Sequence, residues 1–277
     1  MTIRHRASAL MLLCVLAAPA QATGEPRTWL QLHGTDAHWR LSIDSGSFYA
    51  NSPGTLVSTE NELGLPTRKV IPGLAFGRLI GERWRIELEH TSARRRASQV
   101  LGSDLKRSEV TFLAGTPLEA DVGLSTLRIN GGWAAWQTDT AQAVLLIGGQ
   151  WLKISQRLNG TATVDQAPPG GPAPMPGPPG PRTVDTSDLT PVGLLGLQAQ
   201  WQPAPAWRVQ GRAEAGAEQY LQLSAGVHWW PARNVAIGAG YRFMRAELDS
   251  TFCFIVCSRF VSNFRIHGPT LSATLAF

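Results

Sequence analysis

Residues 220–243 read YLQLSAGVHWWPARNVAIGAGYRF, two alternating runs joined through a Pro-containing turn. In the first run Leu221, Leu223, Ala225, Val227 and Trp229 share one face, and Tyr220, Gln222, Ser224, Gly226 and His228 share the other. The second run sets Val235, Ile237, Ala239, Tyr241 and Phe243 against Ala236, Gly238, Gly240 and Arg242. A side-chain period of two is that of a β-strand with one apolar face. The runs reach the roughly 9–11 residues that a strand needs to cross a bilayer, whereas strands of soluble sheets average about 5–6. Polar faces made of Gly, Gln, Ser and single charges suit a crowded aqueous lumen better than a solvated surface. The apolar faces are therefore expected to look outward at lipid, as in a membrane barrel.

The pattern recurs. Trp207, Val209, Gly211 and Ala213 oppose Arg208, Gln210, Arg212 and Glu214, and Trp84, Ile86 and Leu88 oppose Arg83, Arg85, Glu87 and Glu89. Trp84, Trp136, Trp201, Trp207, Trp229 and Trp230 flank short turns, as indole does when it sits at the headgroup level. In a soluble sandwich such rings belong mid-strand, where burial is deepest. The opposite connections, near 51–68, 97–118, 157–188 and 248–261, are long, and this asymmetry is that of outer-membrane barrels. Strands are expected near 38–49, 68–79, 83–96, 119–136, 141–156, 189–201, 206–215, 219–230, 234–247 and 262–277. The fold class is all-β, an antiparallel transmembrane up-and-down β-barrel of ten strands, or of eight if one hairpin is lost. Pro72 interrupts the second strand, and the apolar phase slips near Leu127 in the fourth.

Arg4 and Arg6 precede an apolar run and Ala20-Gln21-Ala22, which reads as a secretory signal peptide, 1–22, for export through the Sec pathway with cleavage after Ala22. Residues 23–277 then form one barrel domain. Without Arg4 and Arg6 the Lys and Arg total falls from 25 to 23 against 20 Asp and Glu, too mild a surplus for nucleic-acid binding. Cys14 follows Leu13, which does not suit a lipoprotein cleavage site. Cys253 and Cys257, in CFIVC, are expected to form a disulfide in an oxidising compartment, and two thiols without a nearby His pair make a poor metal site. Residues 268–277, GPTLSATLAF, set Leu271, Ala273, Leu275 and Phe277 on one face. This looks like the signal read by the outer-membrane assembly machinery, carried on a strand that closes the barrel. A free edge in hydrocarbon would leave unsatisfied backbone groups costing several kcal/mol each.

Together, Leu63-Gly64-Leu65, RWRIELEHTS (83–92), PVGLLGLQAQW (191–201) and NVAIGAGYRFMRAEL (234–248) before Phe277 resemble the small outer-membrane β-barrel proteins of Gram-negative bacteria, the opacity/OmpA-like group. The resemblance covers most of the mature chain and implies fold and outer-membrane location more than activity. A peptidoglycan-binding domain after the barrel is not expected, so an anchoring role is not implied.

Candidate chemistry is sparse. His90 and Ser92 share the lipid-facing phase and resemble the H-x-S arrangement of outer-membrane lipid A deacylases, in which His activates Ser for attack on an acyl ester. Ala93 replaces the usual following Asn, and no acid is evidently placed to orient His90, so the competing reading is two polar residues at the outer rim. Arg94, Arg95 and Arg96 lie where lipopolysaccharide phosphates would meet forked guanidinium groups, or form a solvated cluster. Arg83, Arg85, Glu87, Glu89, Arg208, Arg212, Glu214 and Arg242 are expected to fill the lumen as an ion-pair network. A barrel of this size leaves little room beyond its own side chains, and mixed signs make a poor selectivity filter. Residues 167–181, rich in Pro and Gly without a triplet repeat, suit an extended outer loop. No cofactor or metal motif is present. The expected function is a structural or surface-contact role through the outer loops, toward lipopolysaccharide or an external partner, with a narrow passive pore and a lipid A hydrolase as alternatives.

Overall fold

The computed structural model describes residues 27–47, 57–107, 109–166, 175–217, 219–253 and 257–277. The expected signal peptide and much of the Pro/Gly-rich run fall outside them. Ten strands form the wall: β1 Thr28–Ser47, β2 Arg68–Ile80, β3 Trp84–Val100, β4 Pro117–Gln137, β5 Ala141–Gln166, β6 Gly180–Ala204, β7 Trp207–Gly216, β8 Leu221–Ala232, β9 Val235–Cys253 and β10 Cys257–Ala276. Each pairs antiparallel with its neighbour in sequence, and β10 pairs with β1 to close the barrel. The seam runs from Trp29 opposite Ala276 to Ser47 opposite Ser258, and the Phe277 N–H donates to the Thr28 carbonyl at 2.9 Å. The hairpin at the far end of β9 sets the backbone of Cys253 opposite that of Cys257; their side chains lie outside the described residues.

Both irregular strands form. Pro72 stands opposite Gly34 on β1, just beyond the β2–β3 ladder, which begins at Gly73 opposite Thr91. The turn between β2 and β3 is made by Gly81 at φ 68°, a conformation that suits Gly. β1 begins at Thr28, ten residues before the sequence suggests; Trp29, Gln31 and His33 lie on its inner face there and Leu30 and Leu32 on its outer, and the inward indole hides the alternation.

The long connections are largely strand. β5 runs to Gln166 and β6 starts at Gly180, while 97–118 holds the end of β3 and a small hairpin, Leu105–Arg107 with Val110–Phe112. These extensions escape a simple apolar-outside reading because the polarity of the two faces inverts along the strand. On β5 the outward residues are Leu145, Ile147 and Trp151, then Lys153, Ser155, Arg157 and Asn159. Inward, Gln150 gives way to Leu152, Ile154 and Leu158. β3 switches outward between Leu88 and His90, and β10 switches between Leu271 and Arg265. β4 keeps its even-numbered residues inside from Leu118 to Ala134, so there is no backbone slip at Leu127. The inner face instead changes from Leu118, Ala120, Val122 and Leu124 to Thr126, Arg128 and Asn130. Within the bilayer the chain is polar inside, and above it the chain is packed like a soluble protein.

Ile147 and Leu195 remain 66% exposed and Leu271 69%, an arrangement stable only against acyl chains. Trp84, Trp133, Trp136, Trp201, Trp207 and Trp229 point outward at the short-turn end. Trp230, expected among them, faces the lumen, since it directly follows outward Trp229 on the same strand. Ile147→Arg is expected to destabilise the protein by about 2–4 kcal/mol, whereas Asn159→Arg, on the same face above the switch, changes stability by less than about 0.5 kcal/mol. Denaturant unfolding from phospholipid vesicles measures both.

Candidate functional site

Just below the level where β3 loses its apolar outer face, the lumen is crossed by one charged cluster. Arg128 on β4 bridges Glu89 on β3 and Glu214 on β7. Glu214 also accepts from Arg212 at 2.9 Å and from the Asn130 amide at 2.8 Å. Glu89 accepts from Arg242 on β9, with His33 Nε2 of β1 at 3.3 Å, and Glu87 pairs with Arg212 and, at 3.7 Å, with Arg85. Five of the ten strands thus meet in a single network. Of the expected members, Arg85, Glu87, Glu89, Arg208, Arg212, Glu214 and Arg242 all face the lumen. Arg83 does not: it lies in the β2–β3 turn, exposed at the barrel end, because the strand begins only at Trp84. Arg128, the centre of the network, and His33 were missed. Both lie on stretches whose outer faces are irregular, although strict alternation carried through 118–134 would have placed Arg128 inside.

Toward the short-turn side lies a cavity of about 170 Å³, lined by Trp29, Gln200, Arg208, His228 and Trp230 together with the charged cluster. Arg208 stacks 5.1 Å from the Trp230 ring. Toward the outer side the lumen closes. The buried Tyr220 hydroxyl lies 2.8 Å from Gln150 and 2.7 Å from Gln222, and above it begins the apolar core of Trp39, Leu41, Phe112, Leu124, Leu152, Phe264 and their neighbours. None of the cavity lining comes from that core.

The outer mouth is filled by residues 57–66. Leu63 and Leu65 are buried in the core, and Gly64 between them sits at φ 63°, where an added Cβ would lie 2.5 Å from Gln99 Oε1. Arg95 fixes this plug. Its side chain is wholly buried and donates to Glu60 at 2.6 Å, to Thr59 Oγ1 at 3.0 Å and to the Pro66 carbonyl at 3.1 Å, with its guanidinium 4.0 Å over the Trp39 ring. Burial lowers the pKa of this guanidinium from its ordinary value, and Glu60 opposes the shift. Arg95 therefore cannot meet lipopolysaccharide as expected, since alternation turns it inward between Arg94 and Arg96. Those two do point outward, and they share Asp121, Arg96 at 2.7 Å and Arg94 at 3.5 Å. The row continues across the wall through Arg157 to Asp185 at 2.6 Å, and Asp185 raises the Arg157 pKa.

His90 and Ser92 lie on the outer face where the apolar band ends. His90 Nδ1–H donates to the Thr126 carbonyl on β4 at 2.9 Å, which commits that nitrogen as a donor to backbone. Ser92 lines a shallow outer groove with Arg94, Ser125, Lys153 and Ser187.

A closed antiparallel barrel with an apolar outer band, an inner-end Trp belt and a charged lumen defines an integral outer-membrane β-barrel protein. No protein-family model and no curated protein matches the chain. Solved structures similar to it include the outer-membrane protease OmpT of Escherichia coli, with 9% identity and a TM-score of 0.49 over 90% of this chain and 96% of that one. The translocator domain of the autotransporter NalP of Neisseria meningitidis aligns with 10% identity and a TM-score of 0.42, over 93% and 91%. Ail of Yersinia pestis aligns with 9% identity and a TM-score of 0.31, over 89% and 99%.

Arg128→Met leaves Glu89 and Glu214 short of a buried partner and is expected to cost about 3–5 kcal/mol of unfolding free energy, while Arg83→Gln changes it by less than about 0.5 kcal/mol. Arg95→Leu is expected to cost a similar 3–5 kcal/mol, because Glu60 stays buried unpaired. It should also make residues 57–66 cleavable by protease in a barrel that still shifts mobility on heating in detergent gels.

Proposed function

We propose that this protein is a non-conducting outer-membrane barrel with a structural or surface-contact role, exercised toward lipopolysaccharide or an external partner from its outer end. The observation that carries this reading is the packed apolar core that seals the outer half of the lumen, continuous with the plug of residues 57–66 held by Arg95 and Glu60. Solute passage would require that core to open and the charged cluster beneath it to separate. The neutralised rows of charge on the outward wall, such as Arg96, Asp121, Arg157 and Asp185, suit strands standing in water above the membrane. For the hydrolase reading, the donation of His90 Nδ1 to a backbone carbonyl leaves no carboxylate in the position that orients a catalytic His. Export through the Sec pathway with removal of residues 1–22 and recognition of Phe277 by the assembly machinery belong to the same proposal. So does a Cys253–Cys257 disulfide, whose opposed backbone positions fall within the Cα spacing such a bridge needs.

Planar-bilayer recording of the purified protein tests the proposal. No channel events are expected at any applied potential, and a sustained conductance in the folded wild-type protein overturns it.

A further inference from the structure

Three outward arginines stand in one cross-strand row. Arg245 on β9 is opposite Arg265 on β10, and Arg265 is opposite Arg40 on β1. All three are exposed, and strand spacing sets their Cα atoms across about 10 Å. Like charges directly opposite each other repel. On the far wall the chain avoids this by facing Arg96 with Asp121 and Arg157 with Asp185. Here, among the described residues, only Arg245 has an acidic partner, Glu247 on its own strand. Among the described residues no carboxylate pairs with Arg40 or Arg265, and Arg265 lies 5.9 Å from the Phe243 ring instead.

One step toward the membrane, His38 and His267 stand opposite each other with ring centroids 5.4 Å apart, and the Tyr241 hydroxyl lies 2.8 Å from His267 Nδ1. Below them the wall presents Tyr241 on β9 and Leu271 on β10, and Leu223 of the adjoining β8 stands opposite Phe243, all turned outward. Guanidinium groups, then imidazole and phenol, then aliphatic side chains follow one another from water into hydrocarbon. That is the polarity profile of a phosphorylated lipid standing in the outer leaflet.

We propose that this β9–β10–β1 face, and not residues 94–96, binds the phosphate of an outer-leaflet glycolipid. Arg40 and Arg265 clamp the phosphate with Arg245 beside them, and the acyl chains lie along Tyr241, Leu223 and Leu271. Forked, charge-assisted hydrogen bonds to phosphate oxygens are what paired guanidinium groups supply. The inference rests on the surface-contact reading above and gives it a ligand class.

Purified protein in a neutral detergent is titrated with bis-phosphorylated lipid A, with the same lipid dephosphorylated, and with inorganic phosphate, and binding is followed by native mass spectrometry. Wild type is expected to prefer the bis-phosphorylated lipid by about ten-fold or more, the loss of at least one charge-assisted bond. The R40Q/R265Q variant is expected to lose that preference, and R94Q/R96Q to keep it. Heat-modified gel mobility checks that each variant is folded, and the dephosphorylated lipid tests the site without any substitution. Equal binding of both lipids by wild type, or an unchanged preference in R40Q/R265Q, overturns the proposal. Inorganic phosphate that binds at these arginines while lipid A gains nothing overturns the lipid source and leaves a free-anion site. Bilayer conductance is read separately, so a leaking barrel would sink the closed-barrel reading without touching this one.

Discussion

A peptide group in hydrocarbon has no water to turn to, so each strand in the membrane must give its amides and carbonyls to a neighbouring strand. The unbroken run of antiparallel ladders, closed where β10 meets β1, meets that demand. With the backbone satisfied, side chains are left to settle two boundaries, the wall against lipid and the lumen against itself. Leu, Ile and Val occupy the first. Within the band the second is lined by charged side chains, and arginine and glutamate neutralise one another there around Arg128.

Above the bilayer the outer boundary changes and the rule reverses. Water now surrounds the wall, and the same alternation that placed Ile147 and Trp151 outward places Arg157 and Asn159 there. The inner face can then hold an ordinary apolar core. That core needs a lid, supplied by residues 57–66 and by the hairpin that contributes Leu105 and Phe112. Arg95 joins lid to wall through hydrogen bonds and a ring contact with Trp39, a burial tolerable because Glu60 offsets the charge.

Legibility in the sequence follows the same division. β7 and β8, barely longer than the crossing itself, keep one polarity pattern from end to end, and apart from Trp230 their faces were read correctly. β4, β5 and β6 pass through two media. An apolar-outside reading followed β5 and β6 only to the rim and took strand for loop beyond it, and on β4, traced over nearly its whole length, it mistook the inversion at Leu127 for a slip. Arg128 was lost with that apparent slip. Arg95 was misplaced because three adjacent arginines look like one patch until alternation is applied to each. The Arg40, Arg245 and Arg265 row was invisible for a different reason: its members are far apart in sequence and meet only through register.

The central cluster has a consequence for how this barrel is made. Arg128 and Glu214 are 86 positions apart, and Arg242 and Glu89 are 153 apart. Contacts of such separation form late, after most of the chain has been gathered. A half-built sheet entering the membrane would carry these groups without their opposites, each an obstacle to going further. Nascent strands must therefore stay sheltered until nearly all are present, and the charges that lock the finished cylinder act beforehand as a barrier against premature insertion.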